Sequence, residues 1–126
     1  MTPREALDAA VTEAQRRFRY IADPEFQDEW DTVKEFTKRG GGDCDGFSLW
    51  AIWRAQGRCP GEYYFVRGVA HGIGHAWVEI RDPGRLWADP TWGEPCHDPG
   101  WYSQREPTLA YLLAGEIMGQ PTAYVV

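Results

Sequence analysis

The sequence predicts an α+β domain in which N-terminal helices pack on a small antiparallel sheet, and three observations lead there. Apolar residues recur at helical spacing through the first half of the chain. Beyond Gly61 the period drops to two, and Asp82-Pro83-Gly84 supplies a compact turn between two alternating runs. With 126 residues the chain has the size of one domain, so residues 1–126 read as a single unit with one site.

The elements follow in order. Thr2 is a capping residue, Pro3 suits the first helical position, and Glu5 completes a capping box three residues after the threonine. Leu7, Val11, Ala14 and Phe18 then keep helical spacing over about four turns, until "ADPEF" ends the helix. "DEWDTVKEFTKRG" predicts a short helix or turn presenting Trp30, Val33 and Phe36, closed by Gly40 to Gly42.

A second strong helix runs from Cys44 to about Gln56, where Gly57 ends it. On it Cys44, Ser48, Ala51 and Ala55 share one face, and this stripe of small residues lets another element approach the cysteine side closely. "EYYFVRGV", "HAWVEIR" and "RLWADPTW" are the predicted strands; "CHDPGWYSQRE" has loop composition, and "PTLAYLLAGEIMG" predicts a final helix. Trp50, Trp53, Trp77 and Trp87 fit a packed core, whereas Trp92, closing the last predicted strand, and Trp101 beyond it are candidates to line a substrate cleft.

Thirteen Lys and Arg against 19 Asp and Glu give a net charge of −6, which removes any general attraction to nucleic acid or anionic lipid. Three cysteines, Cys44, Cys59 and Cys96, cannot all pair with one another, and their spacing is not that of a secreted disulfide framework. "MTPREALDAAVTEAQRR" is polar and helical rather than a basic segment before an apolar run, and no stretch approaches the ~20 apolar residues of a membrane span. A cytoplasmic protein with no membrane partner is the expectation.

The chemistry gathers on three residues. A nucleophilic thiol needs help to ionise, and Cys44 stands at a helix start, where free backbone N–H groups and the dipole favour a thiolate. It also needs an imidazole to take its proton and an acceptor to orient that imidazole. If the hairpin is centred near Pro83, facing residues sum to about 166. Trp77 then faces Asp89, and His75 is the diagonal neighbour of Asp89 on the same sheet face. A cysteine on a helix start, then a histidine and an aspartate on adjacent antiparallel strands, is the order of a papain-like architecture.

"GGDCDGFSLWAIWRAQG", "GHAWVEI" and "LWADPTW" together resemble the transglutaminase-like superfamily, whose signature is a G-x-C helix start, an H-A-W-V strand and a D-P-T strand. Upstream, "DEWDTVKEFTKRGGGDCD" resembles the bacterial transglutaminase-like cysteine peptidases, with a D-x-W element followed by G-D-C-[ED]-D. The resemblance covers roughly Phe18 to Trp92, and one position departs from it: Gly46 stands where the peptidase group usually has an acid. It implies Cys44 as nucleophile, His75 as general base and then acid, and Asp89 as the orienting carboxylate. The implied reaction is acyl transfer from an amide of a protein or peptide substrate through a thioester, with water or an amine as second acceptor and no required cofactor. The backbone N–H of Cys44 should stabilise the oxyanion, aided by an upstream side chain for which Trp30 and Gln27 are candidates.

Simpler readings stand beside these. A free cysteine is usually a buried structural thiol, and Asp89 before Pro90 suits a turn; the support comes from the set of three. Asp43 is a good N-cap and Asp45 complements the helix dipole, while the resemblance offers them as calcium ligands, since some bacterial relatives bind calcium through acids around the cysteine. Calcium takes 6–8 oxygens, and two carboxylates are only a start. Zinc lacks any Cys-x-x-Cys or His-x-x-x-His spacing. "DCDGF" also resembles the helix start of the NlpC/P60 cell-wall endopeptidases, and a non-catalytic binding or assembly module that keeps the fold is the alternative outside enzymes.

Overall fold

A computed structural model describes residues 1–22, 33–70, 72–81 and 83–99, and the backbone of residues 105–113. Helix α1 (Pro3–Arg17) begins as the sequence predicts. The Glu5 backbone N–H donates to the Thr2 hydroxyl at 3.1 Å, and the Thr2 N–H donates to the Glu5 carboxylate at 2.9 Å. Strand β1 (Arg19–Tyr20) follows, then α2 (Val33–Arg39), which buries Val33 and Phe36, and β2 (Gly41–Gly42). Strands β1 and β2 form a small parallel pair, Arg19 opposite Gly41 and Tyr20 opposite Gly42.

Helix α3 (Cys44–Arg58) is capped by Asp43, which accepts the Gly46 N–H at 3.0 Å. It runs one residue past Gly57, which is exposed in its last turn instead of terminating it. Ser48, Ala51 and Ala55 of the small-residue face are completely buried, and α3 packs along α1 and onto the sheet.

That sheet has five antiparallel strands in the order β6-β5-β4-β3-β7, with β3 Tyr63–Ala70, β4 Ile73–Arg81, β5 Arg85–Asp89, β6 Glu94–His97 and β7 Arg105–Leu113. The β4–β5 register pairs Val78 with Ala88 and Arg81 with Arg85, so facing residues sum to 166 as the turn at Pro83 requires. Its helix-side face contributes Tyr63, Phe65, Ala76, Val78, Ile80 and Ala88 to the main core with α1, α2 and α3. The alternate residues Val66, Trp77 and Trp87 form a second cluster on the opposite face.

Three segments differ from the sequence reading. The first helix, expected to include Phe18 and run to "ADPEF", ends at Arg17, with Phe18 as an extended cap and residues 19–20 in β1. Residues 94–97, the last two of which were expected in a loop, pair with β5, and the Cys96 N–H donates to Asp8 of α1 at 2.7 Å. Residues 105–113, of which 105–106 were expected in the loop and 107–113 in the final helix, form β7 against β3. The open edge of β3 offers a row of unpaired N–H and C=O groups, and satisfying them overrides the helix propensity of a Leu- and Ala-rich stretch, which is worth only tenths of a kcal/mol per residue. The remainder of that expected helix lies outside the described residues. Among the described residues no helix is long and apolar enough to cross a membrane.

Two carboxylates lock the elements together. Glu79, wholly buried on β4, accepts from Trp87 Nε1, Arg81 Nε and Arg85 Nε, each at 2.9 Å. Glu13 of α1 accepts from Arg17 at 2.6 Å and, across to α3, from Arg54 at 3.0 Å and Arg58 at 2.6 Å. Burial alone would raise the pKa of Glu13, but the three guanidinium hydrogen bonds outweigh it and lower the value from 4.5 to about 2.

A carboxylate whose folded pKa is depressed contributes stability above its unfolded pKa and loses it as pH falls through the folded value. Glu13→Gln should therefore cost about 1–2 kcal/mol at neutral pH, because the arginines are partly solvated. Thermal melts should show this difference shrinking between about pH 4.5 and pH 2. An equal loss at every pH would remove the charge-based explanation.

Candidate active site

The start of α3 is built by close approach. Gly41 lies at φ +152, and a Cβ there would fall 1.9 Å from the Arg19 carbonyl oxygen, so the parallel β1–β2 contact requires glycine. At Gly46 a Cβ would meet the Phe36 ring at 2.7 Å. That ring is buried edge-on between Phe18, 4.7 Å away, and Phe47, 5.1 Å away. Any side chain at position 46, an acid included, would have to displace the aromatic cluster.

His75 and Asp89 meet on the sheet face away from the helices. His75 Nε2 donates to Asp89 Oδ2 at 2.7 Å, with the two side chains 8% and 0% exposed. The second carboxylate oxygen accepts the backbone N–H groups of Thr91 at 3.1 Å and Trp92 at 3.2 Å, so a turn commits Asp89 to one orientation. Gln15 of α1 steadies that turn from outside, donating Nε2 to the carbonyls of Pro90 at 2.7 Å and Thr91 at 3.1 Å. The His75 ring stacks on Trp92 with centroids 4.3 Å apart and planes inclined by 12°. An ionised carboxylate only accepts, so the neutral imidazole carries its proton on Nε2 and leaves the lone pair on Nδ1.

Cys44 and His75 line one cleft of about 320 Å³, with Tyr20, Ala70, Ile73, Gly74, Thr91 and Trp92. The cleft opens where the helix start meets the β3–β4 end of the sheet. Sequence reasoning named Trp92 but missed the other wall residues. Ile73 was within its reach, standing two residues before His75 on the same strand, whereas Tyr20 reaches the cleft through a parallel pairing that no local pattern announces. Gln27, Trp30 and Trp101 lie outside the described residues.

The thiol differs from what a helix start alone predicts. Burial, first, then the negative charges of Asp45, Asp43 and Asp89 push the Cys44 pKa up from 9 to about 12, although the Ala76 backbone N–H, directed at the sulfur, acts the other way. The helix terminus is outweighed because Asp43 already takes one of its N–H groups and brings a charge of its own. Cys59 and Cys96 are also unpaired thiols, and burial raises the pKa of Cys96 as well.

For calcium the described donor set falls short. Asp43 has one oxygen engaged in the cap, Asp45 is the only other carboxylate flanking the cysteine, and no group of three or more His, Cys, Asp or Glu suited to a metal occurs among the described residues.

No protein-family model and no curated protein matches this sequence. The fold, however, is similar to that of Legionella pneumophila LapG in two solved structures. For the calcium-bound form the TM-score is 0.66 at 19% identity, over 81% of this chain and 61% of that one. For the EGTA-treated form it is 0.68 at 19% identity, over 85% and 62%. The likeness is one of fold, papain-like and α+β, and this chain spans about three fifths of the length of LapG in those structures.

With its pKa near 12, Cys44 of the resting protein is a neutral thiol at physiological pH. Its alkylation rate by iodoacetamide should rise about tenfold per pH unit from pH 7 to pH 10, followed by mass spectrometry of the Cys44 peptide. A rate that levels off near neutral pH would reveal a preformed thiolate and contradict the environment described.

Proposed function

We propose that this chain is a cysteine-dependent amide hydrolase of the transglutaminase-like type, a peptidase in which Cys44, His75 and Asp89 act together. The observation that carries the reading is the buried 2.7 Å bond from His75 to Asp89 at a cleft that Cys44 also lines. The fold likeness to LapG, a bacterial transglutaminase-like cysteine peptidase, supports the same class.

Because the resting thiol is neutral, His75 works as a general base instead of as the partner of a standing ion pair. As Cys44 Sγ attacks the amide carbon, its proton passes to His75 Nδ1, and the positive charge formed is stabilised by the carboxylate of Asp89 across Nε2. The carbonyl oxygen becomes an oxyanion facing the backbone N–H of Cys44, in the first turn of α3, where N–H groups have no helical partner. Trp30 and Gln27 are proposed as the side-chain donors that complete this hole. The imidazolium then returns its proton to the departing amine, the C–N bond breaks and a thioester remains on Cys44. Water, deprotonated by the same histidine, attacks the thioester and releases the acid; an amine in place of water gives transamidation.

Calcium enters this reading only as a charge. A cation over Asp43 and Asp45 would offset two of the groups that oppose thiolate formation, and would require oxygen ligands beyond those described.

Cys44→Ala should abolish amide hydrolysis, His75→Ala should lower kcat by roughly 10³-fold or more, and Asp89→Asn by about 10²–10⁴-fold. Amine release from a peptide amide library measures all three, with melting temperatures confirming that each variant folds. Retention of activity by Cys44→Ala would end the cysteine-dependent reading, and a folded, unaltered protein that hydrolyses no amide would favour a binding module that keeps the fold.

A further inference from the structure

Among the described residues four large apolar side chains are exposed: Met1, Tyr20, Ile73 and Trp92, at 71%, 57%, 70% and 43%. Single exposed apolar residues need no explanation, but three of these four line the cleft that holds Cys44 and His75. They come from separate elements: Tyr20 from β1, Ile73 from the first position of β4 and Trp92 from the turn after β5. Three unrelated stretches of chain thus bring apolar surface to one opening.

The rest of the cleft wall has complementary chemistry. Ala70 and Gly74 are small, and a Cβ at Gly72 or Gly74 would meet nothing within 4 Å, so the mouth is open at the hairpin tip. Among the described residues no Lys, Arg, Asp or Glu lines the cleft, and the negative charges of Asp43, Asp45 and Asp89 act on the Cys44 sulfur. At about 320 Å³ the space is at the small end of ligand pockets, which run to roughly 1,000 Å³.

We infer that Tyr20, Ile73 and Trp92 form a subsite that seats one bulky apolar side chain of the peptide whose amide Cys44 attacks, and that an acidic side chain is rejected there. The inference rests on the hydrolase reading for its substrate but is tested by binding. Tyr20 and Ile73 are the specificity-determining residues open to substitution, because Trp92 also stacks on His75.

Calorimetric titration of the Cys44→Ala protein with N-acetylated tetra-alanine amide, and with versions carrying Leu or Asp at each position in turn, decides the matter. Leu at one position should bind at least about tenfold more tightly than Ala, and Asp at that position more weakly than Ala. In a Tyr20→Ser, Ile73→Ser protein of unchanged melting temperature, the preference for Leu should fall to within about twofold. Leu and Ala peptides that bind alike at every position, or Leu peptides that do not bind at all, overturn the subsite. Turnover of the same peptides by the unaltered protein separates the two readings. Cleavage without preference for Leu overturns the subsite and leaves the hydrolase. Selective binding of Leu peptides, with no cleavage of any of them, overturns the hydrolase and leaves the subsite.

Discussion

The anchoring of the first turn of α3 is the constraint on which the cleft depends. Asp43 holds the Gly46 N–H, Phe36 presses on Gly46 with no room for a side chain, and Gly41 lets the chain pass against Arg19 just before the cysteine. These contacts determine where Cys44 stands, how deeply its thiol is buried and which strand it faces. The same β1–β2 pairing delivers Tyr20 to the rim, so one small parallel ladder supports both Cys44 and a wall of the cleft. Beneath it, α3 is tied to α1 through Glu13 and to the sheet through a fully buried face of small residues.

The opposite side of the site is held as firmly by different means. The β4–β5 hairpin brings His75 and Asp89 together, and the turn after Asp89 is fastened to α1 by Gln15. Such support matters because acyl transfer requires the imidazole to keep its orientation while it gains and loses a proton. A carboxylate with one oxygen on the imidazole and the other on two backbone N–H groups can neither rotate nor drift. The aromatic face of Trp92 restricts the ring from its side.

How much of this was legible in the sequence follows from the range of the interactions. The capping box at Thr2, the Asp43 cap and the register of the hairpin around Pro83 rest on residues a few positions apart, and each was readable. The diagonal relation of His75 to Asp89 followed from that register alone. Strand β7 was not readable because it is made by the open edge of β3, far away in the chain, against helical periodicity; β6 pairs with its neighbour β5, and there loop composition at Cys96 and His97 hid it. The thiol environment was read only in part. The opposition of the two neighbouring acids is a local matter, whereas burial, the largest influence on Cys44, is a property of the packed structure. The apolar rim depends on three distant segments and leaves no mark in any one of them.

The central claim is that Cys44 becomes covalently acylated with His75 as its base, and the intermediate itself provides the most direct test. Acid quenching during turnover of a peptide amide, followed by digestion and mass spectrometry, should find a hydroxylamine-sensitive acyl group on Cys44. The group should be absent from His75→Ala protein treated in the same way. An acyl group on Cys59 or Cys96, or peptide cleavage with no acylated cysteine at any time, would contradict the mechanism.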